Sequence, residues 1–209
     1  MTRFTRLLAL GFALVVASPT FAQKVPTETA TVAGGCYWCS EADFDKVDGV
    51  VKVTPGFMGG KTANPTYKSV AYQGNTGHAE VVQIEFDPTK VTYARLIEIF
   101  WRTVDPLDAG GQFCDRGDSY RTGIFYHSDA QKAAAEASKA KLTASARFKQ
   151  PVVTEITAAS TFTPSDRPED HGFYKKSPGH YISYRAGCGR DARLKQLWGA
   201  EAGGKIATQ

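Results

Sequence analysis

The chain has 209 residues, 42% of them hydrophobic, and a formal net charge of +4 at pH 7. This length suffices for one well-buried domain. Acidic and basic residues are interspersed, with no basic stripe that carries aromatic residues, so nucleic-acid binding is not expected. The four cysteines all follow residue 22: Cys36, Cys39, Cys114 and Cys188. A domain of this size needs no disulfide framework, so the thiols are available for chemistry.

Residues Met1–Ala22 have the order of a secretory signal peptide. A short basic start is followed by an apolar run and by small residues before Gln23, as export signals require. The apolar run is shorter than the ~20 residues of a membrane span. We expect cleavage after Ala22, an exported or periplasmic location without stable membrane association, and a single domain over residues 23–209.

Predicted strands and helices alternate along the rest of the chain. Period-2 patterns predict strands at residues 28–33, 49–60 (broken by Pro55), 78–88 and 119–127, and the regular part closes with residues 151–160. Helical patterns cover residues 40–47, 64–72, 91–104, 129–146 and 190–199. Ser128 and Gln131 form a capping-box pattern before the fourth of these helices.

These elements favour an α+β fold. The predicted helix at residues 91–104 carries an apolar stripe of Leu96, Ile99, Phe100 and Val104, which suits a helix packed on a sheet. We therefore expect a two-layer α/β sandwich, with helices packed on a mixed sheet as in a ferredoxin-like plait. From Thr161 onward, prolines, glycines and aromatic residues indicate a long irregular C-terminal segment that wraps the core.

Cys36 and Cys39 form a C-x-x-C pair at the start of a predicted helix. Free N–H groups and the positive end of the helix dipole there stabilise a thiolate, so a lowered pKa is expected for Cys36. A structural disulfide or a buried thiol is the alternative. Haem attachment would need a histidine where Ser40 stands, and zinc would need a second ligand pair. A thioredoxin-like fold remains an alternative from the motif, although the order of the following strands and helices is not the usual one of that fold.

Other segments extend the motif. The chain contains "GGCYWCSEADF", "GVVKVTPGFMGG", "NPTY", "GHAEVVQIEFDP", "DAGGQFCDRGDSYRTGIFY" and "CGRDARLKQLWG" in this order. Together they resemble peptide methionine sulfoxide reductase of type A, from about Thr29 to Gly199. The resemblance implies an oxidoreductase that reduces the S epimer of methionine sulfoxide, free or in proteins, and thereby repairs oxidised proteins.

The resemblance also implies the residues that carry the reaction. Cys36 would be the nucleophile, and Glu80 the acid that protonates the sulfoxide oxygen, which requires a raised pKa. The phenols of Tyr67 and Tyr120 would polarise the S–O bond. For Glu80 the alternative is an outward-facing strand carboxylate, and for the tyrosines it is half-buried packing.

Three further residues receive supporting roles from the resemblance. Asp115 would position water or a neighbouring side chain. Tyr37 and Trp38 would form the apolar wall that accepts the S-methyl group of the substrate, although core packing would equally explain two large aromatic side chains. The resemblance assigns no catalytic role to His171.

The implied cycle needs a second thiol. Cys36 becomes a sulfenic acid, a resolving cysteine forms a disulfide with it, and an external thioredoxin-like dithiol restores the enzyme. We favour Cys188 as the resolving cysteine, with Cys39 as a close rival, and treat Cys114 as a bystander. We expect no metal or other cofactor. We expect the protein to be a monomer. A general exported thiol–disulfide oxidoreductase and a disulfide-stabilised binding domain remain as alternatives.

Overall fold

A computed structural model describes residues 26–204. The predicted signal, Met1–Ala22, lies outside this range, as do the last five residues. Within residues 26–204, no helix combines the length and the apolar character needed to cross a bilayer.

The strands and helices alternate as the sequence predicts. The strands are Glu28–Gly34 (β1), Val50–Met58 (β2), Ala79–Phe86 (β3), Gly111–Gln112 (β4), Asp115–Arg116 (β5), Thr122–Tyr126 (β6), Glu155–Ala158 (β7) and Thr163–Pro164 (β8). The α-helices are Tyr37–Phe44 (α1), Tyr93–Trp101 (α2), Asp129–Ala144 (α3), Phe173–Lys176 (α4), Pro178–Gly187 (α5) and Arg190–Trp198 (α6). A π-helix covers Lys68–Gln73, and 3-10 turns cover Asp118–Tyr120 and Gly199–Gly204.

The main sheet has the strand order β7-β6-β1-β3-β2-β8. β6 and β7 are parallel, and the other neighbours are antiparallel. The four strands β6-β1-β3-β2 form a ferredoxin-like plait, because α1 connects β1 to β2 and α2 connects β3 to β6. The predicted fold class is confirmed.

One face of the sheet carries the larger core, and the same face carries Glu80. Val82, Ile84 and Phe86 of β3 are buried in the cluster that includes the apolar residues of α1 and α2. Alternate residues of a strand share a face, so Glu80 points toward the same helical layer. The opposite face holds a smaller cluster around Val81 and Phe125.

The helix starts follow their capping residues. Ser128 Oγ accepts a hydrogen bond from Gln131 N at 3.2 Å, as the capping box predicts. The reciprocal bond differs, because Gln131 Oε1 accepts from His127 N at 2.9 Å. The predicted stripe of Leu96, Ile99 and Phe100 is buried, so α2 packs through the face that its sequence pattern indicates.

Two predicted features differ from the structure. β2 runs through Pro55 without a break, pairing it with Val82. Pro55 O accepts from Ser165 N at 3.0 Å, so the missing N–H of the proline lies on the side where the short edge strand β8 ends. The C-terminal segment wraps the core as expected but is more helical than its composition suggests. Pro178 begins α5, a position that suits proline, and Gly189 in a left-handed conformation separates α5 from α6.

Candidate active site

The backbone before Cys36 is fixed by contacts that only small residues allow. Gly35 has φ +79°, and a Cβ at this position would lie 2.5 Å from Cβ of Gln112. Arg190, 1% exposed, donates from one Nη to the carbonyl of Gly34 at 3.0 Å and to that of Thr103 at 2.8 Å. The β1–α1 connection is therefore a rigid turn that places Cys36 at the N-cap of α1.

Cys36 and Cys39 are buried free thiols whose sulfur atoms interact. Burial raises the pKa of Cys36, and the nearby Cys39 and Glu80 raise it further. A hydrogen bond from Cys36 lowers the pKa of Cys39 to about 7, and the charges of Arg190 and Arg185 lower it too. The pKa of Cys36 is thus raised rather than lowered as the helix N-terminus predicts, because burial is the largest influence on this thiol.

Glu80 is buried, with 2% of its surface exposed. Its Oε2 accepts a hydrogen bond from the backbone N–H of Tyr37 at 3.0 Å, which joins β3 to the first turn of α1. Burial raises the pKa of Glu80 to about 8 against the effect of this bond, and the charges of Asp115 and Asp170 raise it further. At neutral pH the carboxyl is mostly protonated and can donate a proton.

Tyr67 and Tyr120 come from different loops and meet near Glu80. Tyr67 precedes the π-helix, and Tyr120 ends the turn after β5. Both side chains are half-buried. Burial and then the charge of Glu80 raise the pKa of both phenols, and Cys36 contributes to both shifts. The structure thus brings together the thiol, the acid and the two phenol donors that the sequence names.

Asp115 lies beside a tyrosine that the sequence analysis missed. Its Oδ2 accepts from the hydroxyl of Tyr184 at 2.5 Å, and burial raises the pKa of Asp115. Tyr184 also hydrogen-bonds to Cys36, and this bond lowers the pKa of Cys36. The aromatic character of the C-terminal segment was the only signal in the sequence, because nothing in it indicates that α5 returns to Cys36.

The two aromatic residues after Cys36 have different surroundings. Trp38 is half-buried, stacks on Phe173 with ring centroids 3.9 Å apart and meets the ring of Tyr184 edge-on at 5.6 Å. Tyr37 is 1% exposed and donates its hydroxyl to Asp170. Trp38 is thus the aromatic side chain with free surface, while Tyr37 packs behind Tyr67 with the ring centroids 6.1 Å apart.

Cys114 and Cys188 form a disulfide, with their Cα atoms 4.9 Å apart. Cys114 is exposed, and its pairing with Cys188 is a feature that the sequence did not indicate. The bond ties the residue before Asp115 to the end of α5, which carries Tyr184. In this state Cys188 has no free thiol. Cys114, Asp115 and Cys188 form a cluster with metal-ligand spacing, but the two bonded sulfurs offer no thiolate.

The chain matches known proteins over nearly all of its described length. Residues 28–202 match the family model described as peptide methionine sulfoxide reductase. The protein named peptide methionine sulfoxide reductase MsrA from Bacillus subtilis is 51% identical over 174 residues, which cover 83% of this chain and 97% of that protein. The relative of the same name from Listeria monocytogenes is 51% identical over 175 residues, 84% of this chain and 98% of that protein.

Solved structures give the same result. Methionine sulfoxide reductase A of Corynebacterium diphtheriae has a TM-score of 0.64 at 31% identity, covering 75% of this chain and 77% of that one. Reduced Mxr1 from Saccharomyces cerevisiae has a TM-score of 0.68 at 26% identity, covering 79% and 93%. With the fold, the thiol site and these matches in agreement, the chain belongs to the peptide methionine sulfoxide reductase family, type A, and is an oxidoreductase.

Proposed function

We propose that this enzyme reduces the S epimer of methionine sulfoxide, free and in proteins, with Cys36 as the nucleophile. The observation that carries the proposal is Glu80, a buried carboxyl with a pKa of about 8 next to a buried thiol. Thiol–disulfide exchange has no oxygen to protonate, so a protonated carboxyl near two phenols favours a sulfoxide over a disulfide as substrate.

The proposed reaction transfers one oxygen atom. The Cys36 thiol attacks the sulfoxide sulfur and gives up its proton, while Glu80 protonates the oxygen and Tyr67 and Tyr120 donate hydrogen bonds to it. The proton released by the thiol restores the Glu80 carboxyl. The oxygen ends on Cys36 as a sulfenic acid, and the methionine sulfur gains two electrons and leaves as a thioether. Trp38 offers its half-buried face to the S-methyl group, a sulfur–aromatic contact that stabilises modestly; Tyr37 supports this wall from behind.

We propose Cys39 as the first resolving cysteine, in place of the Cys188 that the sequence favoured. Cys39 already shares a hydrogen bond with Cys36 and is the more acidic thiol of the pair. Attack of its thiolate on the sulfenic acid would form the Cys36–Cys39 disulfide and release the oxygen as water after protonation. Cys188 is bonded to Cys114, so it could act only after that bond had been reduced.

A thioredoxin-like dithiol is proposed as the reductant. Mxr1 from Saccharomyces cerevisiae has been solved in complex with Trx2, which supports a donor of this class. Thiols supply the electrons in every proposed step, so the proposed cycle needs no metal or nicotinamide. From the signal-like residues Met1–Ala22 we propose that the enzyme is exported to the periplasm, works there as a monomer and repairs oxidised exported proteins under oxidative stress.

The test supplies each epimer of methionine sulfoxide with dithiothreitol and follows methionine formation. We expect turnover of the S epimer by the wild type and its loss in Cys36→Ser. An enzyme that reduces neither epimer, or a Cys36→Ser variant with unchanged turnover, would contradict the proposal.

A further inference from the structure

A loop between β8 and α4 contacts Tyr67 at two places. The loop runs from Ser165 to Asp170. Oδ1 of Asp166 accepts a hydrogen bond from the backbone N–H of Tyr67 at 2.7 Å. The guanidinium of Arg167 lies over the face of the phenol ring, with Cζ 4.5 Å from the ring centroid. Two successive residues of one loop therefore hold the backbone and the ring of the same tyrosine.

The Ser165–Asp170 loop is itself anchored at both ends. Asp170 has 0% of its surface exposed, and Ser165 has 8%. The hydroxyl of Tyr37 donates to Oδ2 of Asp170 and lies 3.2 Å from Oγ of Ser165. Within the loop, the N–H of Arg167 donates to Oγ of Ser165 at 3.3 Å, and the N–H of Asp170 donates to the carbonyl of Arg167 at 3.0 Å. Arg167 is thus fixed relative to the aromatic wall that Tyr37 supports.

Two carboxylates orient the guanidinium of Arg167. Its Nε donates to Oε1 of Glu169 at 2.9 Å and lies 3.5 Å from Oδ2 of Asp170. The side chain is 35% exposed, so water shields part of its charge. A cation over the face of a tyrosine ring is attracted by the ring at this separation. The contact therefore restricts the ring of Tyr67 to one orientation.

A cation at this position also changes Tyr67 as a hydrogen-bond donor. Burial, and after it the charge of Glu80, raise the pKa of Tyr67, so these surroundings oppose negative charge on the phenol oxygen. Donation to the sulfoxide oxygen shifts negative charge onto the phenol as the S–O bond breaks. The nearby positive charge of Arg167 stabilises that charge distribution. Because the effect grows toward the transition state, it should raise the rate of reduction more than the affinity for substrate.

We propose that Arg167 is a positioning residue for Tyr67, which orients the phenol ring and strengthens its hydroxyl as a donor to the sulfoxide oxygen. The inference rests on the proposed function and adds to it a residue that acts on the reaction through Tyr67.

The experiment follows a single turnover, so that regeneration of the enzyme does not limit the rate. Reduced enzyme is mixed with excess methionine S-sulfoxide in the absence of reductant, and the first equivalent of methionine is measured over a range of substrate concentrations. In Arg167→Gln we expect the limiting rate constant to fall about three- to five-fold at an unchanged half-saturation concentration, as the loss of one cation–π contact predicts. Arg167→Lys keeps a cation near the ring and should stay within about two-fold of the wild type.

The same substitution in a Tyr67→Phe background separates positioning from a general structural effect. Phenylalanine keeps the ring but has no hydroxyl, and Tyr67→Phe should by itself be slower than the wild type. If Arg167 acts through the hydroxyl of Tyr67, Arg167→Gln should cause no further fall in the rate constant in this background.

Arg147 offers a matched control, because it is an arginine of similar exposure that also lies over an aromatic ring. Its side chain is 39% exposed and pairs with Glu201 at 3.5 Å, and its Cζ lies 5.3 Å from the ring centroid of Trp198 at the end of α6. Arg147→Gln should leave the single-turnover rate constant unchanged.

Three results would overturn the positioning role of Arg167 and leave the proposed function intact. They are an unchanged rate constant in Arg167→Gln, an equal fall in Arg167→Lys, and the same fall when Arg167→Gln is made in the Tyr67→Phe background. A wild type that forms no methionine from the S epimer would instead contradict the proposed function, and the role of Arg167 with it.

Discussion

Glu80 lies on β3 with Val82 and Ile84, and 2% of its surface is exposed. The period of the strand accounts for its direction, because alternate residues share a face. Its raised pKa depends on other parts of the chain. Burial under α1, together with the charges of Asp115 and Asp170, raises the pKa of Glu80 to about 8. A proton donor is thus made from an ordinary glutamate by residues far away in the sequence.

Replacing Glu80 with glutamine should lower kcat/KM for methionine S-sulfoxide by about 10²–10⁴-fold, the range of a lost general acid. The carboxyl donates only when protonated, so wild-type activity should fall as the pH rises through about 8. Glu80→Gln should lack this fall. The measurement is kcat/KM against pH from 6 to about 10, with dithiothreitol replaced by a reductant whose potency is constant over that range.

Glu85→Gln is the matched control, because Glu85 lies on the same strand and pairs with Lys52 at the surface, with 40% of its side chain exposed. The Glu85→Gln variant should keep both the wild-type kcat/KM and its fall at pH values above about 8. If kcat/KM of Glu80→Gln still falls as the pH rises through about 8, the titrating group is not Glu80.

At the scale of elements, the Cys114–Cys188 disulfide holds the hairpin β4–β5 against α5 and α6. The two cysteines are 74 residues apart, and the bond lies between Asp115 and the helix that carries Tyr184. Closing a loop of this length restricts the unfolded chain, which stabilises the fold by about 2–4 kcal/mol. A stabilising role and a resolving role for Cys188 therefore predict different results.

The variant with both Cys114→Ser and Cys188→Ser should lose about 2–4 kcal/mol of unfolding free energy in urea. After one equivalent of methionine S-sulfoxide, mass spectrometry should still find a Cys36–Cys39 disulfide in it. Cys39→Ser is the comparison, and we expect it to accumulate the sulfenic acid. Accumulation of sulfenic acid in the double variant, with disulfide formation in Cys39→Ser, would restore Cys188 as the first resolving cysteine.

Across the whole molecule, buried carboxyls couple the site to stability. Burial raises the pKa of Glu80 to about 8 and that of Glu41 to about 7, against an ordinary value of 4.5. Between pH 4.5 and these values the folded state binds more protons than the unfolded state, so stability falls as the pH rises. The stabilising contribution of each carboxyl is complete below its ordinary pKa and is lost as the pH passes through its folded pKa.

The free energy of unfolding should therefore decrease from pH 5 to about 8.5. In Glu80→Gln this decrease should be smaller by at least ~1 kcal/mol, since one pKa unit corresponds to ~1.4 kcal/mol. Urea denaturation at fixed pH values measures both. Glu85→Gln should follow the wild type, and an identical pH dependence in Glu80→Gln would show that Glu80 is not the coupled group.

Much of the fold and part of the site were predictable from local patterns. The alternation of apolar and polar residues predicted β1 and β3, and the apolar stripe predicted α2. Pro178 and Gly189 were misleading, because proline and glycine occur at helix boundaries as well as in loops. The predicted pKa of Cys36 failed for a related reason: a helix N-terminus is a local feature, whereas burial and the proximity of Glu80, which raise the pKa, depend on tertiary packing.

The sequence by itself determined the family, the order of the elements, the C-x-x-C pair and the candidates Glu80, Tyr67 and Tyr120, because each is encoded in short motifs or in periodicity. The tertiary structure alone decided which cysteines pair, where the protons reside and which residue faces the nucleophile. Cys114–Cys188, the raised pKa of Glu80 and the contact of Tyr184 with Cys36 depend on distances between segments far apart in the chain. Burial and pairing are properties of that packing, and no local pattern records them.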